Sequence, residues 1–141
     1  MVWQQISRGG HRRSPPIEEN RNWYLEVLKK YAVFDGRARR SEYWYFTLIN
    51  VGVILVLSVL DAVIRKVTGI NIGMLGTIYG FAVLLPAVGV SIRRLHDTNR
   101  SGWWLLLALV PLVGLVLLMF MAQDSEPAPN LYGQNPKMAI A

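Results

Sequence analysis

The sequence predicts an all-α integral membrane protein: three transmembrane helices, with an amphipathic interfacial helix ahead of them. Three observations carry this. No charged residue occurs between Trp44 and Leu60, between Thr68 and Ile92, or between Gly102 and Gln123, and runs of that length meet the roughly 17–25 apolar residues of a bilayer-crossing helix. Hydrophobic residues make up 52% of the chain and charged ones 17%, against about 25% charged in an ordinary soluble domain. The charges that do occur gather at the ends of the apolar runs.

The 141 residues leave room for one domain, expected over 22–136. It is preceded by a flexible extension, 1–21, and closed by a polar tail, 123–141. The extension combines Gly9-Gly10, His11-Arg12-Arg13 and Ser14-Pro15-Pro16 without apolar periodicity. The first apolar run lies too deep in the chain for a cleavable leader. From 22 to 34, Tyr24, Val27, Leu28, Tyr31 and Phe34 recur at helical spacing. That stretch is too charged to cross a bilayer, so it is read as a helix lying in the interface or packed on the protein's own spans.

Asp35-Gly36 is a turn signal, with Ser41 placed to cap the next helix and Glu42 in its first turn. The spans are predicted at about 44–64, 74–92 and 103–122. Asn50 is the polar residue inside the first and is suited to hydrogen bonding across helices. Gly76 and Gly80 form a small-xxx-small pair for close helix approach. Pro86 and Pro111 predict kinks.

Orientation follows from charge. Nine Lys and Arg precede Trp44, two lie in the first loop, three in the second and one in the tail. Three spans divide them twelve against three. The positive-inside rule then predicts a cytoplasmic N-terminus and a periplasmic or external C-terminus.

The net charge of +6 would suggest nucleic acid in a soluble chain. Beside apolar spans, basic residues instead set orientation and meet anionic head groups, so the bilayer and anionic phospholipid are the expected partners and nucleic acid is not. A homo-oligomer or a membrane partner is compatible with the same surface. Without cysteine there is no disulfide framework or thiolate chemistry. With two histidines and no HExxH pattern, neither a metal nor a cofactor is predicted.

The candidate site is the pair of charged hinges. One carries Arg37, Arg39, Arg40 and Glu42; the other carries Arg93, Arg94, His96, Asp97 and Arg100, with Trp103 at its edge. Three chemistries suit such a cluster. A structural clasp would tie the helix ends together, with Arg93 and Asp97 paired at i,i+4. An anion site would present guanidinium forks to phosphate. An acid–base site would use His96 with Asp97, although neighbours on a helix do not face each other. No catalytic residue is assigned. The leading reading is a non-enzymatic membrane protein whose arginine-rich cytoplasmic face engages anionic lipid or a partner. The alternatives are a small transporter or channel component built on the two proline kinks, and a membrane enzyme using His96 and Asp97.

Three motifs carry a resemblance: Phe-x-Gly-Arg-x-x-Arg-x-Glu-Tyr-Trp at Phe34–Trp44, Arg-Arg-Leu-His-Asp-Thr-x-Arg-Ser-Gly-Trp from Arg93, and Tyr-Gly-x-x-Pro at Tyr132–Pro136. With them the chain, from Trp23 to Pro136, resembles a bacterial inner-membrane family catalogued as domain of unknown function 805 (YhaH/YhaI-like), the YhaI-like branch most of all. Residues 1–21 are an extension that the family generally lacks. The resemblance implies a small polytopic inner-membrane protein and supplies no activity, substrate or cofactor.

Overall fold

The computed structural model describes residues 22–71 and 73–138; the expected flexible extension, 1–21, lies outside the described residues. Among the described residues the fold is helical: α1 (Trp23–Lys29), α2 (Arg40–Thr68), α3 (Leu75–Asp97), a 3-10 helix (Gly102–Leu109) and α4 (Pro111–Ala122).

Helix α1 is two turns long, shorter than the expected 22–34. Asn22 caps it by accepting from the Leu25 N–H at 3.3 Å, and it packs inward on the protein itself. Val27 is fully buried, and Tyr24 stacks on Phe46 of α2 with ring centroids 5.3 Å apart. It ends where Tyr31 is drawn to α3, donating its hydroxyl to the Ala82 carbonyl at 2.8 Å. Ala82 lies four residues before Pro86, whose missing N–H would otherwise have bonded that carbonyl. The tyrosine thus satisfies the group that the proline orphans, and α3 continues unbroken past Pro86.

Among the described residues, α2 and α3 are the two helices long and apolar enough to cross a membrane. Helix α2, with 29 residues, spans about 43 Å at 1.5 Å per residue. Arg39, not Ser41, occupies its cap position, and it ends on Gly69, whose φ of +72° suits glycine. Asp61 accepts from the Leu75 N–H at 3.2 Å, bracing the start of α3. Across the pair, the Tyr79 hydroxyl donates to Asn50 Oδ1 at 2.6 Å and lies 3.1 Å from the Tyr24 hydroxyl. The expected 74–92 boundary of α3 moves to Asp97 because residues 93–97 are all buried in protein.

The small-residue pair is corrected. Gly76 faces Ser58 Oγ at ordinary contact distance, and nothing lies within 4 Å of Gly80's open side. The close approaches fall elsewhere. A Cβ on Gly89 would meet the Val33 carbonyl at 3.3 Å, and one on Gly102 would meet Ile92 Cγ2 at 2.9 Å.

The predicted third span, 103–122, is also corrected: it is a helical hairpin. The 3-10 helix runs to Leu109, Val110 is extended (φ −104°, ψ 111°), and Pro111 begins α4. Proline disfavours the helical region for the residue before it and suits the first helical position itself, so Pro111 starts a helix where a kink was expected. The tip is internally bonded, Val110 N–H to Leu107 O at 3.1 Å and Gly114 N–H to Val110 O at 2.7 Å. The arms run back to back: Gly114 packs on Ala108, and Trp104 meets Phe120 edge-on at 5.6 Å. Their lengths, about 16 Å and 18 Å by helical rise, are each about half of a ~30 Å hydrocarbon core.

Both hairpin ends sit at one end of the α2–α3 pair. Gly102 touches Ile92, and the Arg94 guanidinium donates to the Met121 carbonyl at 3.1 Å. The tail that follows α4 therefore lies beside the hinge at 35–39, where the sequence expected the two polar ends to lie apart. The buried core, including Val27, Ala38, Phe46, Val90, Leu95, Leu117 and Met121, is concentrated at this same end. Beyond Asn50, α2 exposes Leu55, Val56 and Val59.

Candidate functional site: a buried charge clasp under the C-terminal tail

The extended hinge before α2 lies along the last turns of α3. Gly36 turns the chain with φ +85°, and the Ala38 N–H donates to the Arg93 carbonyl at 3.0 Å. This registers Arg37 and Glu42 against Arg93, Arg94 and Asp97. The Arg37 Nε donates to Asp97 Oδ1 at 2.9 Å, while Arg94 Nη1 holds Asp97 Oδ2. Arg93 Nη1 donates to Glu42 Oε1 at 2.7 Å, with Lys30 Nζ at 4.0 Å from the same oxygen. The i,i+4 pairing of Arg93 with Asp97 is therefore corrected: Asp97 pairs with Arg94 and Arg37, and Arg93 pairs across to α2.

Apart from Lys30, these charged side chains are all buried. Three guanidiniums against two carboxylates leave one uncompensated positive charge, which is costly away from water. Backbone carbonyls oppose it, and most come from the tail. Arg37 donates from Nη1 to the Ala128 and Gly133 carbonyls, at 3.0 and 3.2 Å, and from Nη2 to the Glu126 and Asp97 carbonyls, at 2.7 and 3.2 Å. With Nε on Asp97, every donor group of Arg37 has a partner. Arg94 reaches the Met121 and Gln123 carbonyls, and Arg39 reaches the Pro136 carbonyl. Among the clasp arginines only Arg93 keeps buried donors, Nε and Nη2, without a partner among the described residues.

The tail folds to present those carbonyls. Asn130 and Gly133 bond reciprocally at 3.1 Å, Gly133 takes φ +125°, and Asn130 Oδ1 accepts from the Tyr132 N–H at 2.9 Å, an Asx-type turn. Asn130 Nδ2 donates to the His96 carbonyl at 2.9 Å, and the Tyr132 ring lies flat on His96, centroids 3.8 Å apart and planes within 3°. Leu131, beside it, is 89% exposed. The Lys137 ammonium, on Asp124, holds that carboxyl below its ordinary pKa range.

The hinge residues fall into distinct roles. Arg37, Glu42, Arg93, Arg94 and Asp97 form the clasp, and His96 props the tail. Arg100 donates to Gln123 Oε1 at 2.9 Å with its guanidinium 3.9 Å from the Phe120 ring centre, tying the two ends of the hairpin together. Arg40 is exposed and makes no side-chain hydrogen bond or ion pair among the described residues; with Ser41, Trp44, Tyr45 and Leu48 it borders a groove of about 270 Å³. Trp103 is exposed on the rim of a larger groove, of about 420 Å³, between α3 and the hairpin. His96 and Asp97 do not form an acid–base pair, since both Asp97 oxygens are held by guanidiniums. Sequence reasoning missed the tail's carbonyls at Glu126, Ala128, Gly133 and Pro136, because a backbone acceptor leaves no side-chain signature. The signal available was the Tyr-Gly-x-x-Pro motif, too specific for an unconstrained tail.

Residues 31–134 match the family model described as "Protein of unknown function (DUF805)". "Inner membrane protein YhaH" of Escherichia coli K12 is 48% identical over 118 residues, covering 83% of this chain and 98% of the relative. "Inner membrane protein YhaI" of the same strain is 47% identical over 116 residues, covering 82% and 95%; the two identities do not rank the branches. No solved structure matches. The matched span takes in the clasp, the hairpin and the tail's turn, and the chain belongs to the DUF805 family of bacterial inner-membrane proteins.

Proposed function

We propose that this protein is a non-enzymatic component of the inner membrane whose cytoplasmic face engages anionic phospholipid head groups at Arg40, while the buried arginines serve as a structural clasp. Two spans and a re-entrant hairpin put the hinge, the 93–101 turn and the tail on one side. Thirteen of the fifteen Lys and Arg then lie on that side and two, Arg65 and Lys66, on the other, a distribution that favours a cytoplasmic location for both termini.

The observation that carries the reading is the division of labour among the arginines. Arg37 and Arg94 are buried and bonded to protein acceptors, and Arg93 is buried on Glu42. Arg40 is exposed at the head of α2, with Trp44 and Tyr45 below it. Aromatic side chains of this kind favour head-group depth, and an arginine fork suits a phosphate. The amino end of α2 adds a favourable dipole.

The experiment is a native mass spectrometry titration of the full chain with phosphatidylglycerol and phosphatidylethanolamine. Wild type is expected to prefer phosphatidylglycerol, and Arg40→Gln to lose about fivefold of that preference, from about 1 kcal/mol per basic residue at a membrane surface. Equal retention of the two lipids by wild type, or an unchanged preference in Arg40→Gln, would refute the reading.

A further inference from the structure

The larger groove lies between α3 and the outgoing arm of the hairpin, away from Arg40. We propose that it seats one acyl chain of a bilayer glycerophospholipid, with the lipid's polar region at His96 and Ser101 and the chain running toward Val88. Its volume, about 420 Å³, lies within the ~300–1,000 Å³ of small-molecule sites. Val88 and Ile92 of α3 form one wall, and Leu105 and Leu106 of the 3-10 helix form the other. From Val88 to His96 is about 12 Å along the helix, long enough for the upper part of an acyl chain. Trp103 and Leu106, 78% and 56% exposed, stand on the rim, so the groove opens sideways where a lipid can enter from the bilayer.

The polar end selects the chemistry. His96 Nδ1 faces the Gly36 carbonyl at 3.2 Å. A carbonyl only accepts, so in the neutral ring Nδ1 carries the proton and Nε2 keeps a lone pair. Ser101 Oγ accepts from the Trp103 N–H at 3.4 Å, and its own proton is left for an acceptor. Imidazole and hydroxyl thus offer one acceptor and one donor without charge. That suits an ester carbonyl together with a head-group hydroxyl or ammonium, and it does not select for a phosphate's charge.

Gly102 holds this geometry. Its missing side chain lets the arm close on Ile92 at the polar end of the groove. A seated chain would also cover 3-10 backbone, which at membrane depth needs protein or another covering. The groove gives the hairpin a purpose that a plain third span would lack: a lipid slot opening at the cytoplasmic interface.

The test is photolabelling of the full chain in vesicles, using a phospholipid with a diazirine on its acyl chain and mapping the labelled peptides. Labels are expected on Val88–Ile92 and Leu105–Leu106 about tenfold above the exposed α2 strip at Leu55, Val56 and Val59, the ratio that 1.4 kcal/mol of preference gives. Equal labelling of groove and strip means only annular lipid and overturns the proposal. Leu106→Trp, which fills the groove, is expected to lower labelling of Val88–Ile92 to the strip's level; undiminished labelling would equally overturn it. Phosphatidylethanolamine vesicles and phosphatidylglycerol-rich vesicles are expected to label alike. A strong requirement for phosphatidylglycerol would refute the uncharged polar end. Because this readout does not involve Arg40, the head-group reading and the groove stand or fall separately.

Discussion

Replacing Asp97 by asparagine keeps the shape of the side chain and removes its charge. In the wild type one carboxylate oxygen takes the Arg37 Nε at 2.9 Å and the other takes Arg94 Nη1, and none of the three side chains is more than 1% exposed. In Asp97→Asn one amide oxygen can still accept, but the NH2 group must then face a second donor. The buried balance shifts from one uncompensated positive charge to two. Breaking a buried pair by removing one partner costs about 3–5 kcal/mol, a large part of the 5–15 kcal/mol that typically holds a folded protein. Thermal unfolding in mild detergent, followed by tryptophan fluorescence, should show Asp97→Asn strongly destabilised at low and high salt alike, because a buried pair is poorly screened. Adding Arg94→Met, which removes the stranded cation, should recover part of the loss. If Asp97→Asn unfolds within about 0.5 kcal/mol of wild type, as an ordinary surface substitution does, the clasp is not what holds this end together. Lys137→Gln is the control: it breaks an exposed pair with Asp124 and should leave the unfolding midpoint where it is.

Other outcomes follow from the same geometry. Arg37→Lys supplies a compact ammonium in place of a planar fork and cannot bond Asp97 and three tail carbonyls together, so limited proteolysis should cut within 126–137 well before it cuts the helices; a tail as resistant as wild type would contradict the strap. A reporter fused after Ala141 should give a cytoplasmic signal, and one inserted in the α2–α3 connection an external one; an external signal at Ala141 would restore the third span. Gly102→Ala should destabilise by about 1–3 kcal/mol through overpacking, with Ile92→Ala in the same chain relieving the clash; equal destabilisation with and without Ile92 would place the strain elsewhere.

What the sequence made legible was local. Charge-free runs marked α2 and α3, and Asp35-Gly36 marked the turn before α2. The charged hinges announced a cluster, though not its pairing, because i,i+4 spacing favours Arg93 with Asp97 only while the helix is considered alone. Once the hinge is laid along α3, Arg37 and Glu42 compete for the same groups, and Arg93 turns to Glu42. The small-residue motif misled for a similar reason. Gly76 and Gly80 have the spacing of a helix contact, but the approaches that need glycine are made elsewhere on α3, by the hinge at Val33 over Gly89 and by the start of the 3-10 helix, where Gly102 meets Ile92.

The hairpin was hidden by two coincidences. Its apolar run is as long as a span, and Pro111 alone suits a kink as well as a turn. The charge count could not arbitrate, since the tail carries one lysine: twelve against three becomes thirteen against two, and either division obeys the positive-inside rule. The deciding constraint is non-local. The Arg37 Nη1 and Nη2 donors take three tail carbonyls, and the Nη2 group of Arg94 takes that of Gln123. Had residues 103–122 crossed the bilayer, those donors would lose both these acceptors and the cover of the tail. The two arginines and the hairpin therefore support each other: the hairpin returns the chain to the end of the α2–α3 pair where the arginines meet acceptors, and the clasp holds it there.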